Sequence, residues 1–350
     1  MSRTIRVIIV DDSALVRNIL AQGLGMDPAI EVVATAGDPY IARDEIIKHR
    51  PDVLTLDVEM PRMDGVEFLR RLMPQYPLPV VMVSALTQRG KQITIDALEA
   101  GAVDFVSKPS TDVERGLNDL LLELRTKVKI ASTANVSHWK SKRNGTPVRL
   151  SPSAGALAES TDKVIAIGAS TGGTEAIKDV VVPLPAAAPG VVIVQHMPAG
   201  FTRMYAERLN TLCAVEVKEA ESGDRVMPGR VLIAPGDYHM KVLRSGGYYH
   251  VECRQGEKVN GHRPSVDVLM HSVAKNVGAN AVGVVLTGMG GDGAGGLSAM
   301  REAGARTLAQ DEASSVVFGM PKVAYEQGGA ERLVPLKDMA REVLNLVQEH

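Results

Sequence analysis

Cysteine is nearly missing: Cys213 and Cys253 are the only two in 350 residues. Two thiols without metal-ligand spacing exclude a disulfide framework, and they suit a reducing compartment. Both are expected as buried small apolar residues. An excess of either charge is also lacking, since 39 Lys and Arg stand against 41 Asp and Glu. Near-neutrality removes the long-range attraction that draws a chain to nucleic acid or to anionic lipid, so no nucleic-acid partner is expected. No apolar run approaches the roughly 18 residues needed to cross a bilayer, and Met1 to Thr4 leads straight into a strand-like segment. No membrane insertion and a cytoplasmic location are the expectation. Long repeats and extended low-complexity tracts are absent too.

What is present is enough chain for two domains, each burying its own core. Ile5 to Val10 is a continuous apolar run ending in Asp11-Asp12, and similar runs end at Asp57, Ser84 and Lys108 with helix-like stretches between. Such runs read as strands covered on both faces, and their alternation with helices predicts a doubly wound α/β domain over residues 1–125. The helix after Asp12 has Ser13 near its start and spaces Leu15, Ile19 and Leu20 as a sheet-facing stripe. Residues 126–162 read as a linker, because from Ala131 to Thr161 apolar periodicity gives way to Ser, Thr, Asn, Pro and Ala. Its basic patch, Lys140, Lys142 and Arg143, reads as a solvated charge run. Over 163–350 the alternation resumes with runs at Val164 to Ile167, Val191 to Val194 and Val282 to Leu286, giving a second α/β domain with a mainly parallel sheet. Strand-sized pieces between Ala214 and Arg254, with turns at Pro228-Gly229, Pro235-Gly236 and Gly246-Gly247, predict a β-hairpin insertion. A closing helix is expected from Lys337 to His350.

In a parallel sheet the carboxyl ends of the strands share one edge, which would bring Asp11, Asp12, Asp57, Ser84 and Lys108 together. Three carboxylates repel unless a hard cation neutralises them, and carboxylate oxygens suit Mg²⁺. Asp57 is then free to take a phosphoryl group whose oxygens Lys108 and Ser84 hold. Taken singly, each acid reads as a helix cap or loop residue; the set is what carries the chemistry. This set resembles the two-component receiver family over about Ile5 to Arg125, down to Asp64-Gly65 and the Pro109 after the lysine, where family members commonly have a cis peptide. The resemblance implies a flavodoxin-like fold, phosphorylation at Asp57, a metal site at Asp11, Asp12 and Asp57, a histidine kinase as phosphodonor, and Ser84, Lys108 and the aromatic Phe105 as switch residues. Phe105 reads equally well as core.

The run Val164 to Ile167 enters Gly168-Ala169-Ser170-Thr171-Gly172-Gly173 before a helical pattern, so Ser170 sits in a tight strand-to-helix turn. Such a turn fits a serine nucleophile or a nucleotide phosphate about equally. A dinucleotide site expects an acid after the next strand. Here Val191 to Val194 ends in Gln195-His196-Met197-Pro198, a histidine where a general base is needed. The third strand runs into Thr287-Gly288-Met289-Gly290-Gly291-Asp292-Gly293, and Asp292 supplies an orienter for the imidazole. Backbone N–H groups of Thr171 and Met289 are candidate oxyanion donors. The order Ser, His, Asp is not that of the α/β-hydrolases.

These blocks, together with His262-Arg263-Pro264-Ser265-Val266-Asp267 and Ala309-Gln310-Asp311-Glu312 through Met320-Pro321, closely resemble the chemotaxis protein-glutamate methylesterase (CheB) family. That resemblance implies the triad Ser170, His196 and Asp292, needing no cofactor for ester hydrolysis. It also implies a substrate, methylated glutamates of chemoreceptors, with deamidation of certain receptor glutamines, under control of phosphorylation in chemotaxis adaptation and with recruitment to receptor clusters. His262 and Arg263 remain unassigned from the sequence; a local Arg263–Asp267 ion pair is one reading.

Overall fold

A computed structural model describes residues 3–85, 87–108, 113–140 and 162–349. The chain divides into two compact units, Met1–Asn144 and Gly145–His350.

The first unit alternates strand and helix: β1 (Ile5–Val10), α1 (Ala14–Gly25), β2 (Ile30–Ala36), α2 (Pro39–His49), β3 (Val53–Asp57), α3 (Gly65–Gln75), β4 (Val80–Ala85), α4 (Gln88–Glu99), β5 (Asp104–Lys108) and α5 (Val113–Ala131). The strands form one parallel sheet in the order β2-β1-β3-β4-β5. All five residues of β3 are buried, as a central strand covered on both faces requires. Val10 pairs with Leu56, Asp57 with Val83, and Ala85 with Lys108, so the polar strand ends fall along one edge.

Two expectations are corrected in this unit. Leu15 is 69% exposed, and the sheet-facing side of α1 carries Leu20, Gly23 and Leu24 instead. The stripe repeats every three to four residues from Leu20, so Leu15 falls outside it. The domain end expected at Arg125 falls inside a helix: α5 runs on to Ala131, because Leu124, Val128 and Ala131 are all fully buried and keep the apolar face going. Beyond it a single 3-10 turn, Ser137–Lys140, brings the chain's one Trp, Trp139, against Gly101. Pro109, Lys142 and Arg143 lie outside the described residues.

The second unit contains β6 (Val164–Ala169), α6 (Gly173–Val181), β7 (Gly190–Gln195), α7 (Phe201–Asn210), β8 (Glu216–Glu219), β9 (Arg225–Val226), β10 (Arg230–Ile233), β11 (His239–Ser245) and β12 (Tyr248–Arg254). It continues with α8 (Val266–Asn276), β13 (Ala281–Val285), α9 (Ala294–Glu302), β14 (Arg306–Gln310), α10 (Met320–Glu326), β15 (Arg332–Val334) and α11 (Leu336–Gln348). Seven strands make a parallel sheet ordered β15-β14-β13-β6-β7-β10-β8, and β11, β12 and β9 form a small antiparallel one. The predicted insertion is therefore smaller than the sequence suggested. β11 and β12 are the hairpin, turning at Gly246-Gly247, but β8 and β10 extend the main sheet. Val231, Leu232 and Ile233 are buried beside β7, and strands this short carry too little pattern to separate the two cases. Neither cysteine is fully buried, and burial together with nearby Asp224 and Glu219 pushes the Cys253 thiol up to about 12.

Candidate functional site

In the first unit the acidic edge is assembled as the strand register dictates. Asp11 is 1% exposed and Asp57 6%, while Asp12 is exposed, and carboxylate oxygens of all three lie within 4.8 Å of one another. That oxygen-only donor set fits a hard divalent cation such as Mg²⁺. Lys108 Nζ bridges Asp11 Oδ2 at 2.9 Å and Asp57 Oδ1 at 3.0 Å. Among the described residues the backbone donor to the Asp57 carboxylate is Val58 N–H, at 2.8 Å. Burial pushes the Asp57 carboxyl up to about 6, with neighbouring Asp11 adding to it and Lys108 opposing. For Lys108 burial works downward, yet Asp57 and Asp11 outweigh it and hold the ammonium above its ordinary range.

Around this cluster, α3 begins at Gly65 directly beneath the acceptor strand. A Cβ there would stand 2.4 Å from the Asp57 carbonyl oxygen, so the Asp64-Gly65 pair combines a helix cap with a close backbone approach. Ser84 is fully buried, and Thr94 Oγ1 donates to Ser84 Oγ at 2.7 Å while Ser84 Oγ lies 3.2 Å from the Gly90 carbonyl of α4. Thr94 was not visible as a site residue in the sequence. Phe105 is 4% exposed, with Lys127 Nζ 5.0 Å from its ring centroid, so the ring occupies the core.

In the second unit Ser170 follows β6 in a turn whose next glycine, Gly172, has φ 77 and leads into α6. Ser170 N–H donates to the Thr287 carbonyl at 3.0 Å, and Gln195 Nε2 donates to the Ser170 carbonyl at 2.9 Å. Gly288 is required beside it, because a Cβ there would lie 2.7 Å from Ser170 Cβ. His196 follows the adjacent strand, and its N–H donates to the Ala169 carbonyl at 3.1 Å, which fixes its backbone alongside that of Ser170. Its Nε2 lies 2.8 Å from Asp292 Oδ2, and its Nδ1 is buried without a hydrogen-bond partner among the described residues.

Asp292 is 2% exposed and heavily supplied with donors. Its Oδ1 accepts from Asn260 Nδ2 at 2.8 Å and Ser265 Oγ at 2.8 Å, and its Oδ2 accepts from Val266 N–H at 2.7 Å. Asp267 N–H adds a 3.3 Å contact to Oδ1, so the carboxylate sits at the N-terminus of α8 where the helix dipole favours negative charge. Burial works against ionisation here, but the His196, Asn260 and Ser265 hydrogen bonds prevail and hold the carboxyl well below the ordinary carboxylate range. A permanently ionised Asp292 makes His196 Nε2 the protonated nitrogen and leaves Nδ1 as the basic one. The arrangement can take a proton from a hydroxyl.

Thr171 is 6% exposed and its carbonyl accepts from Thr287 Oγ1 at 3.0 Å; Met289 is 48% exposed on the glycine-rich loop. The Arg263–Asp267 pairing is overturned. Arg263 Nε donates to Asp237 Oδ1 at 2.9 Å, and Asp267 is engaged by Asn260 Nδ2 at 2.6 Å and Gly296 N–H at 2.6 Å. Asn260 and Ser265 escaped the sequence reading as supports of Asp292. The Asn260-Gly261 dipeptide, a hairpin-turn signal, was the one cue.

Comparison with known proteins agrees with both units. The response regulator receiver domain family matches residues 7–118, and the CheB methylesterase family matches residues 165–343. A Syntrophotalea carbinolica protein named protein-glutamate methylesterase/protein-glutamine glutaminase is 72% identical over 350 residues, covering 100% of this chain and 99% of that one. A Salmonella typhimurium protein of the same name is 54% identical over 340 residues, covering 97% of this chain and 96% of its own. The crystal structure of the Thermotoga maritima CheB methylesterase catalytic domain is 38% identical, covers 53% of this chain and all of its own, and superposes with a TM-score of 0.52. Two such units in this order make a response regulator whose output is a hydrolase. The chain belongs to the protein-glutamate methylesterase/protein-glutamine glutaminase (CheB) family. No helix among the described residues is long and apolar enough to cross a membrane.

Proposed function

We propose that this chain hydrolyses glutamate methyl esters on chemoreceptors, releasing methanol, and deamidates specific receptor glutamines, with both reactions raised by phosphorylation of Asp57. The division of labour on His196 carries the reading: Nε2 is tied to Asp292 at 2.8 Å while Nδ1 is buried and, among the described residues, unpartnered, on a backbone bonded to the residue before Ser170. Ser170 Oγ attacks the ester carbonyl as its proton passes to His196 Nδ1, and Asp292 stabilises the imidazolium. Backbone N–H groups of Thr171 and Met289 receive the oxyanion. The tetrahedral intermediate collapses as His196 returns the proton to the departing methoxide, so methanol leaves and an acyl-serine remains. Water, deprotonated by His196, then releases glutamate and restores Ser170. With glutamine the leaving group is ammonia and the acyl-serine is the same.

In the receiver, Asp57 is the acceptor, Asp11, Asp12 and Asp57 would hold Mg²⁺, and Lys108 and Ser84 would bind oxygens of the transferred phosphoryl group. The bound cation supplies positive charge that lets an anionic phosphodonor approach three carboxylates. Phe105 reads as the switch aromatic, a histidine kinase as the donor, and chemoreceptor clusters in the cytoplasm as the place of action. The domains of this reading are a receiver that runs through α5 to Ala131, a linker after it and a methylesterase over 163–350. Family membership and names of relatives support the substrate. Methanol release from methylated receptor membranes and ammonia release from glutamine-bearing ones test it. Ser170→Ala is expected to lose both by about 10⁴-fold or more; retention of either overturns the assignment of Ser170.

A further inference from the structure

His262 lies outside the Ser170, His196 and Asp292 set, yet it packs closely against that set. Its ring stacks on the His196 imidazole with centroids 3.7 Å apart and planes 9° from parallel. The contact follows from a tight turn. Val259 and His262 exchange backbone hydrogen bonds, at 3.1 Å and 2.9 Å, around Asn260 and Gly261, whose φ angles of 53 and 80 make an Asn-Gly pair the natural occupant. One turn therefore reaches both partners of the pair. Asn260 Nδ2 grips Asp292 Oδ1 at 2.8 Å, and two residues on the His262 ring covers His196.

We propose that His262 is a positioning residue for the esterase, a neutral aromatic face that holds the His196 ring in plane and stabilises the imidazolium formed when Ser170 gives up its proton. This rests on the reading of His196 as the base. The charges around the stack decide which ring carries the proton. His196 bonds Asp292, which is permanently ionised and takes up the positive charge through Nε2. His262 faces His196 on one side, with Asp292 favouring its charged form and Lys258 opposing it. Burial first, and then His196 and Lys258, bring the His262 imidazole down to about 4, so it remains neutral across the working range. A neutral ring parallel to an imidazolium offers its π face to a cation, whereas two imidazolium rings at this spacing would repel. The stack is thus stronger after proton transfer than before it, which is the condition for accelerating the step rather than merely binding the ring.

The test compares His262→Leu, which keeps apolar volume without a π face, with His262→Phe, which keeps the face without a titratable nitrogen. Both are made in the full chain, alongside Ser170→Ala. The readout is methanol release from methylated receptor membranes between pH 5 and 9, in the presence of Mg²⁺ and a small-molecule phosphodonor, with thermal melting as the check on folding. His262→Leu is expected to lose about five- to tenfold in kcat with KM nearly unchanged, and to move the acid limb of the pH profile toward lower pH. His262→Phe is expected to stay within about twofold of the parent and to keep the acid limb in place. A His262→Leu profile matching the parent, with Ser170→Ala inactive, overturns the proposal while leaving the serine assignment intact. A loss that Phe fails to rescue in a folded protein, or one expressed in KM alone, also overturns it, the latter pointing to substrate contact. Full activity in Ser170→Ala would instead sink the reading on which the proposal rests.

Discussion

Asp57 and Asp292 are the same residue type, both nearly inaccessible to solvent, and both end a stretch running from a central parallel strand, yet their proton affinities diverge. Burial lifts the Asp57 carboxyl to about 6, whereas hydrogen bonds hold that of Asp292 well below the usual range. The difference lies in the donors. Among the described residues Asp57 receives one backbone N–H and shares Lys108 with Asp11, while Asp292 collects donors from His196, Asn260, Ser265 and the first turn of α8. Desolvation penalises the charged form in both, and only the second site meets that cost internally. An under-solvated carboxylate is kept for bonding to something that arrives; a saturated one is kept to orient its neighbour.

The largest test of this contrast is Asp292→Asn. An amide cannot fix the His196 tautomer, so kcat for methanol release is expected to drop by about 10³- to 10⁴-fold while radiolabelled phosphoryl uptake at Asp57 is unaffected. Acidification should act on the other carboxylate. With a carboxyl near 6, Asp57 passes from mostly ionised at pH 7 to mostly protonated at pH 5, and the rate of phosphoryl uptake from a small phosphodonor at limiting Mg²⁺ falls about tenfold. A flat rate across that window would show that Asp57 is not desolvated as described.

Stability separates the two sites by sign. The raised Asp57 carboxyl favours the fold while protonated, a contribution whole below 3.8 and lost once pH climbs past about 6. Asp57→Asn is therefore expected to stabilise the receiver at pH 7.5 by up to about 3 kcal/mol, with the gain fading as pH falls toward 4. The lowered Asp292 carboxyl contributes stability above 3.8 that is lost below it, so Asp292→Asn should weaken the second unit at pH 7.5. Denaturant titration of each variant at pH 7.5 and 4.5 gives both signs. The smallest effect concerns packing: Gly288→Ala would press a Cβ to 2.4 Å from Met320 Sδ and 2.7 Å from Ser170 Cβ, and about 1 to 3 kcal/mol of destabilisation in the second unit is expected from thermal melting.

Much of this contrast was legible in the sequence because parallel strands carry their functional residues at their ends. Asp11, Asp57 and Lys108 converge, as do Ser170 and His196, for the single reason that apolar strand runs stop at those residues. What escaped depended on partners distant in sequence. Asp237 claims Arg263 across 26 residues, Thr94 engages Ser84 from the next helix, and Asn260 reaches Asp292 across 32 residues. No spacing rule reports such pairs. Short strands failed for another reason: β8 and β10 have four residues each, too few for pattern to tell a main-sheet strand from part of a hairpin. Leu15 was misplaced because spacing near a helix start fits more than one stripe.

The central claim is that a phosphoryl group on Asp57 raises hydrolysis at Ser170. Its most direct test is the initial rate of methanol release from methylated chemoreceptor membranes by the full chain and by Asp57→Asn, each with and without a small phosphodonor and Mg²⁺. The expected result is a several-fold rise in the parent and none in Asp57→Asn, both proteins keeping the same basal rate. An equal rise in Asp57→Asn, or no rise in the parent with Asp57 shown to be phosphorylated, would contradict it.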